Sequence, residues 1–401
     1  MPTRQAGEEQ TKRFIPKMGR AYSNGRNYDR GAGQHRDVSM LSPFIRHRLV
    51  LEQGVIAQAL QAHGPDGAEK LVQEVIWRNY FKGWLEHRPQ VWECYRIGLD
   101  VDLQALERDK GLRQDVGAAE AAKTGLGYFD AWAHELVETG YLHNHAHRWF
   151  ASIWTFTLGL SWRLGADFFL RHLLDGDPAS NTLSWRWVSG LHTRGKPYHA
   201  QDWNIAKFTN HRFQPRRGDL ADVVEGLKAQ EPDGLPTVQR LRTPNPPKPK
   251  ILSLLLITAY DCRPEDLDLD RFYIVGDATL ASSHLRSPKS VSEAVQEFEA
   301  VALADTAAQQ QYPYQLLRAG VPSDLARIAE GAGAKQIITA YIPEGYLRNW
   351  INEAAPALYA AGISFTELRR PWDELIWPHA TAGFFKVKKN IPNILHDAGL
   401  H

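Results

Sequence analysis

The stretch DGDPASNTLSWRW, residues 175–187, constrains the fold and the site more than any other part of the sequence. Asp, Gly, Pro and Asn favour turns, so its first residues predict a loop after the helical segment that precedes them. Asp175 and Asp177 flank a glycine in this loop, and Asn181 and Trp185 follow. Carboxylates in a turn can bind Ca²⁺, but the spacing of an EF-hand loop and its closing glutamate are missing. The stretch therefore predicts a polar turn that leads into an aromatic segment.

A second polar group lies upstream, in TGYLHNHAHRWF, residues 139–150. Asn144 stands there among three histidines: His143, His145 and His147. Residues two apart on a helix point to different sides, so only His143 and His147 could chelate a metal together. No third ligand is evident, and no metal site is predicted. Polar side chains that line a cofactor pocket are favoured instead.

The two polar groups together suit a planar heterocycle. Carboxylate and amide side chains can hold a ring edge that presents N–H and C=O groups, and a flavin has such an edge. Thirteen tryptophans occur in the chain, and nine of them lie between Trp77 and Trp187. Planar ligands, base stacking and electron relay are functional reasons for such a concentration, while core packing is the structural alternative for individual rings.

A third candidate group occupies one helix face. Glu74, Trp77 and Arg78 are spaced i, i+3 and i+4, which places an acid, a large aromatic ring and a cation side by side. An ordinary Glu–Arg pair on an amphipathic helix accounts for the same spacing, so this group is a candidate only in combination with the others.

The first half of the chain has helical periodicity. Ser42 precedes a proline and predicts a helix N-cap, with helix from there through Leu60. Further helices are predicted over residues 68–89, 127–140 and 146–173.

The pattern changes after residue 250. The apolar run ILSLLLIT predicts a buried strand. RFYIVGDA, EAVALAD, KQIITAYI and ISFTELR are further strand candidates, with helical segments such as residues 345–361 between them. Alternating strands and helices predict βαβ units and a mostly parallel sheet. A Pro-rich, charged segment precedes this region, so the predicted division is a helical domain over 1–235, a linker over 236–250 and an α/β domain over 251–401.

Five motifs, in order and at consistent spacing over residues 38–205, resemble DNA photolyases and cryptochromes. They are VSMLSPFI, QEVIWRNYF, TGYLHN, LSWRLGADFFLRHLLDGD and DGDPASNTLSWRW. The resemblance implies an N-terminal all-α, photolyase-like FAD-binding domain followed by a smaller α/β domain with a parallel, Rossmann-like sheet. In this family the α/β antenna domain comes first, so the C-terminal segment would be that domain moved to the other end; the resemblance leaves open whether it binds an antenna pigment.

The resemblance also assigns the cofactor residues. The serine-rich turn (Ser39, Met40, Leu41, Ser42) would hold the FAD phosphates, which agrees with the preference of helix N-termini for anions. Asp175 and Asp177 would hydrogen-bond the flavin and its ribityl neighbourhood, and Asn181 would face flavin N5. Two further cofactor residues follow by position, namely Asn144 and His147.

Substrate and relay residues are assigned in the same way. Glu74, Trp77 and Trp187 match positions that contact a pyrimidine dimer in photolyases, and Asn144 would lie between flavin and substrate. Trp185 and Trp162 match the first two members of the tryptophan chain that reduces the flavin. The third member has no counterpart near residue 109, and four rings could replace it: Trp92, Trp132, Trp149 and Trp154.

Some cations of the family pattern are missing. The arginine that pairs with the first aspartate falls at His147, and Arg148 follows it. Two arginines that hold DNA phosphates in many photolyases fall near His145 and Ala200. Losing such cations weakens DNA binding and its salt dependence.

Composition limits the remaining possibilities. The formal net charge is +1, and two cysteines without metal or redox spacing exclude a disulfide framework. The N-terminus has no apolar signal region and no apolar run of membrane-spanning length occurs, so a soluble cytoplasmic protein is predicted. The implied activity is that of a deoxyribodipyrimidine photolyase-like lyase with FAD as cofactor and DNA containing pyrimidine dimers as partner. A photoreceptor without repair activity, or a flavoenzyme acting on a small molecule in the same pocket, remains open.

Overall fold

The computed structural model describes residues 1–310, 312 and 314–400. The α-helices in this part of the chain are α1 (Arg4–Phe14), α2 (Arg20–Gly25), α3 (Ser42–Arg46), α4 (Glu52–Glu86), α5 (Gln90–Arg108), α6 (Lys110–Glu120), α7 (Gly127–Thr139), α8 (Asn144–Ser152), α9 (Trp162–His172), α10 (Pro178–Val188), α11 (Asp202–Phe208), α12 (Glu293–Ala307), α13 (Asp324–Gly331), α14 (Tyr346–Ala360), α15 (Pro371–Ile376) and α16 (Phe385–Asp397). The strands are β1 (Leu252–Thr258), β2 (Tyr273–Ala281), β3 (Tyr314–Arg318), β4 (Gln336–Ala340) and β5 (Ser364–Leu368). A helical first half and a C-terminal α/β region confirm the predicted fold class.

The five strands form one parallel sheet in the order β3-β2-β1-β4-β5. β1 pairs with both β2 and β4, for example through Leu254 opposite Ile337. The central position of β1 explains its continuous apolar sequence, because a strand covered on both faces has no solvent side. The chain leaves β1 toward β2 and β3 and later returns to β4, so the order reverses between β1 and β4. Open α/β sheets bind ligands at such a reversal, outside the carboxyl ends of the strands.

The chain forms two compact units. The first comprises residues 1–19, 41–87 and 239–401, and the second comprises residues 20–40 and 88–238. The division into domains at 235 and 251 stays a prediction. None of the helices in the described part of the chain has the length and apolarity needed to cross a bilayer.

Two long predicted helices are interrupted. The helix expected from Ser42 through Leu60 stops after Arg46, turns at Arg48 (φ 52°) and restarts at Glu52. The helix expected over 146–173 widens into a π-helical turn at Ile153–Thr157, and α9 begins only at Trp162. Both interruptions contain a residue of positive φ, Arg48 in the first and Gly159 in the second, which an α-helix does not accommodate.

One strand prediction is wrong and one strand was missed. EAVALAD, residues 299–305, lies inside α12, which begins after the N-cap Ser292. Glu299 is buried in this helix. Its carboxylate tolerates burial because it accepts hydrogen bonds from the backbone N–H groups of Ser282 and Ser283. The missed strand is β3, which pairs with β2 alone at the edge of the sheet.

A cluster of buried charged side chains lies at the carboxyl end of β1 in the first unit. Arg48 donates to Asp373 at 2.7 Å and to Asp261 at 3.1 Å, and Arg370 donates to Asp261 at 2.6 Å. All four side chains are buried. Burial alone would raise the pKa of Asp261, but Arg370 and Arg48 together hold that pKa below its usual value.

Helix α4 is fixed to the same region through Asn79. Its side-chain N–H donates to Asp373 at 2.9 Å, and its carbonyl oxygen accepts from Nε1 of Trp377 at 2.6 Å. Asn79 has no exposed surface. An amide that is satisfied on both sides fixes the rotation of the helix that carries it.

Replacing Arg48 with Met should lower the free energy of unfolding by roughly 3–5 kcal/mol, because Asp373 and Asp261 would stay buried without their shared cation. Urea unfolding followed by circular dichroism measures the loss. Arg327→Met removes an exposed i,i+3 pair with Asp324 and should cost less than about 1 kcal/mol. Equal effects of the two substitutions would contradict the assignment of a stabilising network at Arg48.

Candidate functional site

The acidic turn predicted at residues 175–177 is present and leads into α10. Asp177 is the N-cap: its Oδ1 accepts a hydrogen bond from the Ser180 N–H at 2.9 Å, and Pro178 opens the helix. Asp177 is 3% exposed. A buried carboxylate at a helix N-terminus is stabilised by the N–H groups that point toward it. The turn therefore holds its negative charge in a fixed position.

Asn181 lies one turn further along α10 and is buried. Its Nδ2 donates to the carbonyl oxygen of Ala166 on α9 at 2.8 Å. This bond fixes the amide, so that Oδ1 is the atom of the side chain that remains suited to accept a hydrogen bond from a ligand.

Asp175 is half-buried, and its negative charge affects the pKa of Tyr141. Burial, followed by the negative charge of Asp175, holds the pKa of Tyr141 well above its usual value. The phenol therefore stays protonated and available as a donor throughout the neutral range.

The histidines of the second motif have structural partners. His143 donates from Nε2 to the Arg26 carbonyl at 3.0 Å, and its Nδ1 accepts from the His145 N–H at 3.2 Å. His145 donates from Nδ1 to the Asn27 carbonyl at 3.0 Å. Burial lowers the pKa of His143 to about 3 and that of His145 to about 4, so both rings are neutral at pH 7. Because both ring nitrogens of His143 are occupied, the i,i+4 chelating pair with His147 does not form.

Asn144 and His147 occupy different environments. Asn144 is exposed at the first position of α8. The His147 ring packs edge-on against Phe169, with centroids 5.0 Å apart.

The serine-rich turn has an unusual backbone. Met40 adopts a left-handed conformation (φ 51°), and Leu41, in right-handed helical conformation, precedes α3 as its N-cap. Ser42 is thus the first helical residue rather than the predicted N-cap. Ser39 is half-buried. Left-handed backbone in a non-glycine residue costs free energy and concentrates at functional sites.

Both rings predicted to stack on a substrate already have aromatic neighbours. Trp77 stacks on Phe384, with centroids 3.9 Å apart and planes inclined by 29°. Trp187 stacks on Tyr198 at 5.5 Å, and the Arg148 guanidinium lies 5.5 Å from the Trp187 ring. The third predicted substrate residue, Glu74, forms an i,i+4 ion pair with Lys70 at 3.0 Å.

The predicted relay rings are fully buried. Trp185 meets Trp154 edge-on at 6.3 Å. Trp162 lies 5.9 Å from Tyr95, which in turn stacks on Trp92 at 5.3 Å. Of the four proposed replacements for the third ring, Trp154 therefore contacts Trp185, and Trp92 is connected to Trp162 through Tyr95.

One buried group was missed by the sequence reasoning. Asp29, His35 and Glu135 offer ligand atoms within 4.8 Å of one another. His35 Nε2 lies 2.5 Å from a Glu135 oxygen, while Asp29 accepts from Trp132 Nε1 at 2.9 Å and from Arg212 at 2.6 Å. Pairing within the protein accounts for these contacts. No local spacing could have revealed them, because His35 and Glu135 are 100 residues apart.

The predicted site residues divide between the two units. The first unit carries Leu41, Ser42, Glu74 and Trp77; the second carries Ser39, Met40, Asn144, His147, Trp162, Asp175, Asp177, Asn181, Trp185 and Trp187. A cavity of about 310 Å³ in the second unit, lined by Asp102, Thr155, Ser161 and Gln230 among others, contains none of the predicted residues.

The capped acidic turn and the buried amide of Asn181 both lie in a helical region that is similar to known proteins. Residues 71–219 match the family described as the FAD binding domain of DNA photolyase. This match confirms the resemblance to the photolyase/cryptochrome family over residues 71–219.

Curated relatives agree with this match. A deoxyribodipyrimidine photo-lyase of Streptomyces griseus is 34% identical over 205 residues, which cover 49% of this chain and 42% of that protein. A deoxyribodipyrimidine photo-lyase of Thermus thermophilus is 36% identical over 162 residues, or 40% of this chain and 37% of that protein. A solved bacterial class III photolyase from Agrobacterium tumefaciens aligns with a TM-score of 0.43 and 23% identity over 52% of this chain and 43% of that chain. The chain spans less than half the length of these proteins.

The neutral histidines make stability depend on pH. In the unfolded chain a histidine binds a proton below about pH 6.5, whereas folded His143 and His145 do so only near pH 3 and pH 4. The unfolded state therefore binds more protons between these values, and stability falls as pH is lowered from 6.5. The limiting slope is about 1.4 kcal/mol per pH unit for each histidine.

Replacing His143 with Gln should flatten this pH dependence between pH 6.5 and 5, by up to about 1.4 kcal/mol per pH unit. Urea unfolding at several pH values measures the slope. His134 is exposed and should leave the slope unchanged when replaced with Gln. A slope that is the same in the wild type and in the His143 variant would show that His143 is not buried in neutral form.

Proposed function

We propose that the protein binds FAD and uses blue light to transfer an electron from the reduced cofactor to a pyrimidine dimer in DNA, as a cytoplasmic photolyase-like lyase. The observation that carries the proposal is the acidic turn of Asp175 and Asp177, fixed at the start of α10 next to the buried amide of Asn181, inside the region that matches the photolyase family.

The polar groups fit the flavin. Asp177 has a position fixed by its capping bond, and Asp175 is half-buried two residues before it. The Asn181 amide, held at Nδ2 by Ala166, would present Oδ1 as an acceptor, which suits the N5–H of a reduced flavin. The Tyr141 phenol, whose pKa is raised by burial and then by the charge of Asp175, adds a protonated donor.

The phosphates would lie at the turn of residues 39–42. The left-handed Met40 followed by the right-handed Leu41 is the backbone pattern that turns successive N–H groups toward an anion. The Ser39 and Ser42 hydroxyls would add further donors. Pro43 contributes no N–H, so the donors must come from the residues before it.

When bound and excited by light, reduced FAD would supply the electron that opens the dimer. The electron would return to the flavin afterwards. The chain's own residues would position the substrate. The resemblance assigns substrate contacts in each unit separately: Glu74 and Trp77 in the first unit, and Asn144 and Trp187 in the second. The acid and the amide would serve as hydrogen-bonding groups and the two rings as stacking surfaces. The buried rings of Trp185 and Trp162 would bring electrons to the flavin.

A photoreceptor that does not repair DNA is the second candidate, and two observations favour it. His145 is neutral at pH 7 and Ala200 is buried, so neither position supplies the cation that holds a DNA phosphate. A flavoenzyme acting on a small molecule through acid/base histidines is less well supported, because His143 and His145 both bond to backbone carbonyls.

Illuminating the reduced holoprotein with single-stranded DNA that contains thymine dimers tests the repair activity. Recovery of the ultraviolet absorbance of the thymines should depend on light, and it should fall at least tenfold in Glu74→Ala, because the pyrimidine carbonyls would lose a hydrogen-bonding partner. The matched control is Glu93→Ala, which removes an exposed helical carboxylate. No recovery with the wild type would overturn the repair proposal and leave the photoreceptor.

Replacing Asp175 with Ala should release FAD from the purified protein, because the flavin edge would lose an acceptor while the α10 cap at Asp177 stays in place. The flavin absorbance per protein measures occupancy. Asp109→Ala, which removes the exposed N-cap of α6, controls for loss of a loop aspartate and should keep its flavin. Full occupancy in the Asp175 variant would contradict the proposed pocket.

A further inference from the structure

The first turn of α16 lies beside Trp77. Phe384, the residue before the helix, stacks on the Trp77 ring at 3.9 Å and meets Tyr80 edge-on at 5.5 Å. The Tyr80 hydroxyl donates to the Ala382 carbonyl at 3.0 Å, which fixes the turn before the helix. Phe384 is buried, whereas Trp77 remains 37% exposed. Phe384 therefore supports Trp77 from one side and leaves part of the ring open.

Helix α16 has one buried face and one exposed face. Val387, Ile391 and Ile394 are buried. Phe385, Lys386 and Lys389 are exposed, and the Phe385 ring retains 77% of its surface. Residues three and four apart are neighbours on a helix, so Lys389 lies beside both Phe385 and Lys386.

The charge of this helix is predominantly positive. Lysines occupy positions 386, 388 and 389, against the single acid Asp397 at the other end. The Lys386 ammonium lies 2.6 Å from the Thr381 hydroxyl, a neutral partner that leaves its charge uncompensated. Lys388 is 3.8 Å from Glu69 on α4 and is partly neutralised by it.

We propose that Trp77, Phe385, Lys386 and Lys389, which together we call the α16 surface, bind single-stranded nucleic acid. The proposal rests on the proposed function, for which it supplies a part of the DNA contact. Bases would stack on the exposed Phe385 ring and on the open part of Trp77, and Lys386 and Lys389 would pair with backbone phosphates. Aromatic side chains interleaved with cations are the combination that single strands require.

The composition of the surface favours a nucleic acid over a membrane. An interfacial helix inserts a continuous apolar face, but the apolar face of α16 is already buried and Phe385 alone projects outward. The α16 surface also supplies positive charge, which the chain lacks at two positions that hold DNA phosphates in many photolyases. His145 is neutral at pH 7, and Ala200 is uncharged and buried.

Fluorescence anisotropy in the dark, with labelled oligothymidine and the protein as purified, tests the proposal. The double substitution Lys386→Gln/Lys389→Gln should reduce the slope of log affinity against log salt by about 1.4, because two phosphate contacts are lost. Phe385→Ala should weaken binding about tenfold, the effect of losing one stacked base. Lys110→Gln/Lys123→Gln removes two exposed lysines of the second unit and should leave both quantities nearly unchanged.

Equal losses in the two double variants would overturn the proposal, because binding would then follow net charge rather than the α16 surface. Unchanged binding in Phe385→Ala would also overturn it. A parallel assay with anionic vesicles tests the membrane alternative: variants of the α16 surface that lose vesicle binding but keep oligothymidine binding would likewise overturn the proposal. Dark binding separates this proposal from the repair activity. If the α16 variants weaken binding but the wild type shows no light-dependent repair, the α16 surface is supported and the repair activity is overturned. If the wild type repairs DNA but the α16 variants bind normally, the repair activity is supported and the α16 surface is overturned.

Discussion

The first unit depends on a cluster of buried charges at the carboxyl end of β1. Arg48 from the helical part of the sequence pairs there with Asp261 and Asp373 from the α/β part, and Arg370 completes the cluster. Nearby, after β4, Tyr341 donates to Glu86 of α4. Buried ions are tolerated only when each has its partner, so these pairs fix how residues 41–87 pack on the sheet. The described side chains at the reversal of the strand order thus already bind one another, at the place where open α/β sheets usually receive a ligand.

The sequence was informative where one segment determines its own structure. The acidic turn at 175–177 and the central strand β1 follow from local composition, and both are present. Periodicity failed where tertiary contacts decide. EAVALAD is an apolar run, but its Ala, Leu and Glu residues favour helix, and inside α12 Glu299 accepts hydrogen bonds from the backbone N–H groups of Ser282 and Ser283. Likewise, the break between α8 and α9 leaves Trp154 Nε1 bonded to the Ser161 carbonyl, a contact that no hydrophobic pattern encodes.

The candidate site shows the same division. Family motifs identify Asp175, Asp177 and Asn181, and the structure gives two of them fixed hydrogen bonds. The sequence could not show that His143 and His145 donate hydrogen bonds to the backbone carbonyls of Arg26 and Asn27. Those contacts depend on the path of a loop that is distant in sequence. Nor could the sequence show Phe384 against Trp77, since those residues are far apart in sequence. Local motifs thus predict the turn itself, whereas the partners of the histidines and of Trp77 come from distant segments.

The bonds of Asn79 have a consequence for the order of events during synthesis. Its partners, Asp373 and Trp377, follow it by 294 and 298 residues. A ribosome adds on the order of 5–20 residues per second, so α4 waits at least about 15 seconds for the groups that satisfy its buried amide. During this interval the apolar surface of α4 has no sheet region to cover it. Nascent α4 therefore keeps apolar surface exposed, and open to binding by a chaperone, until the α/β region emerges.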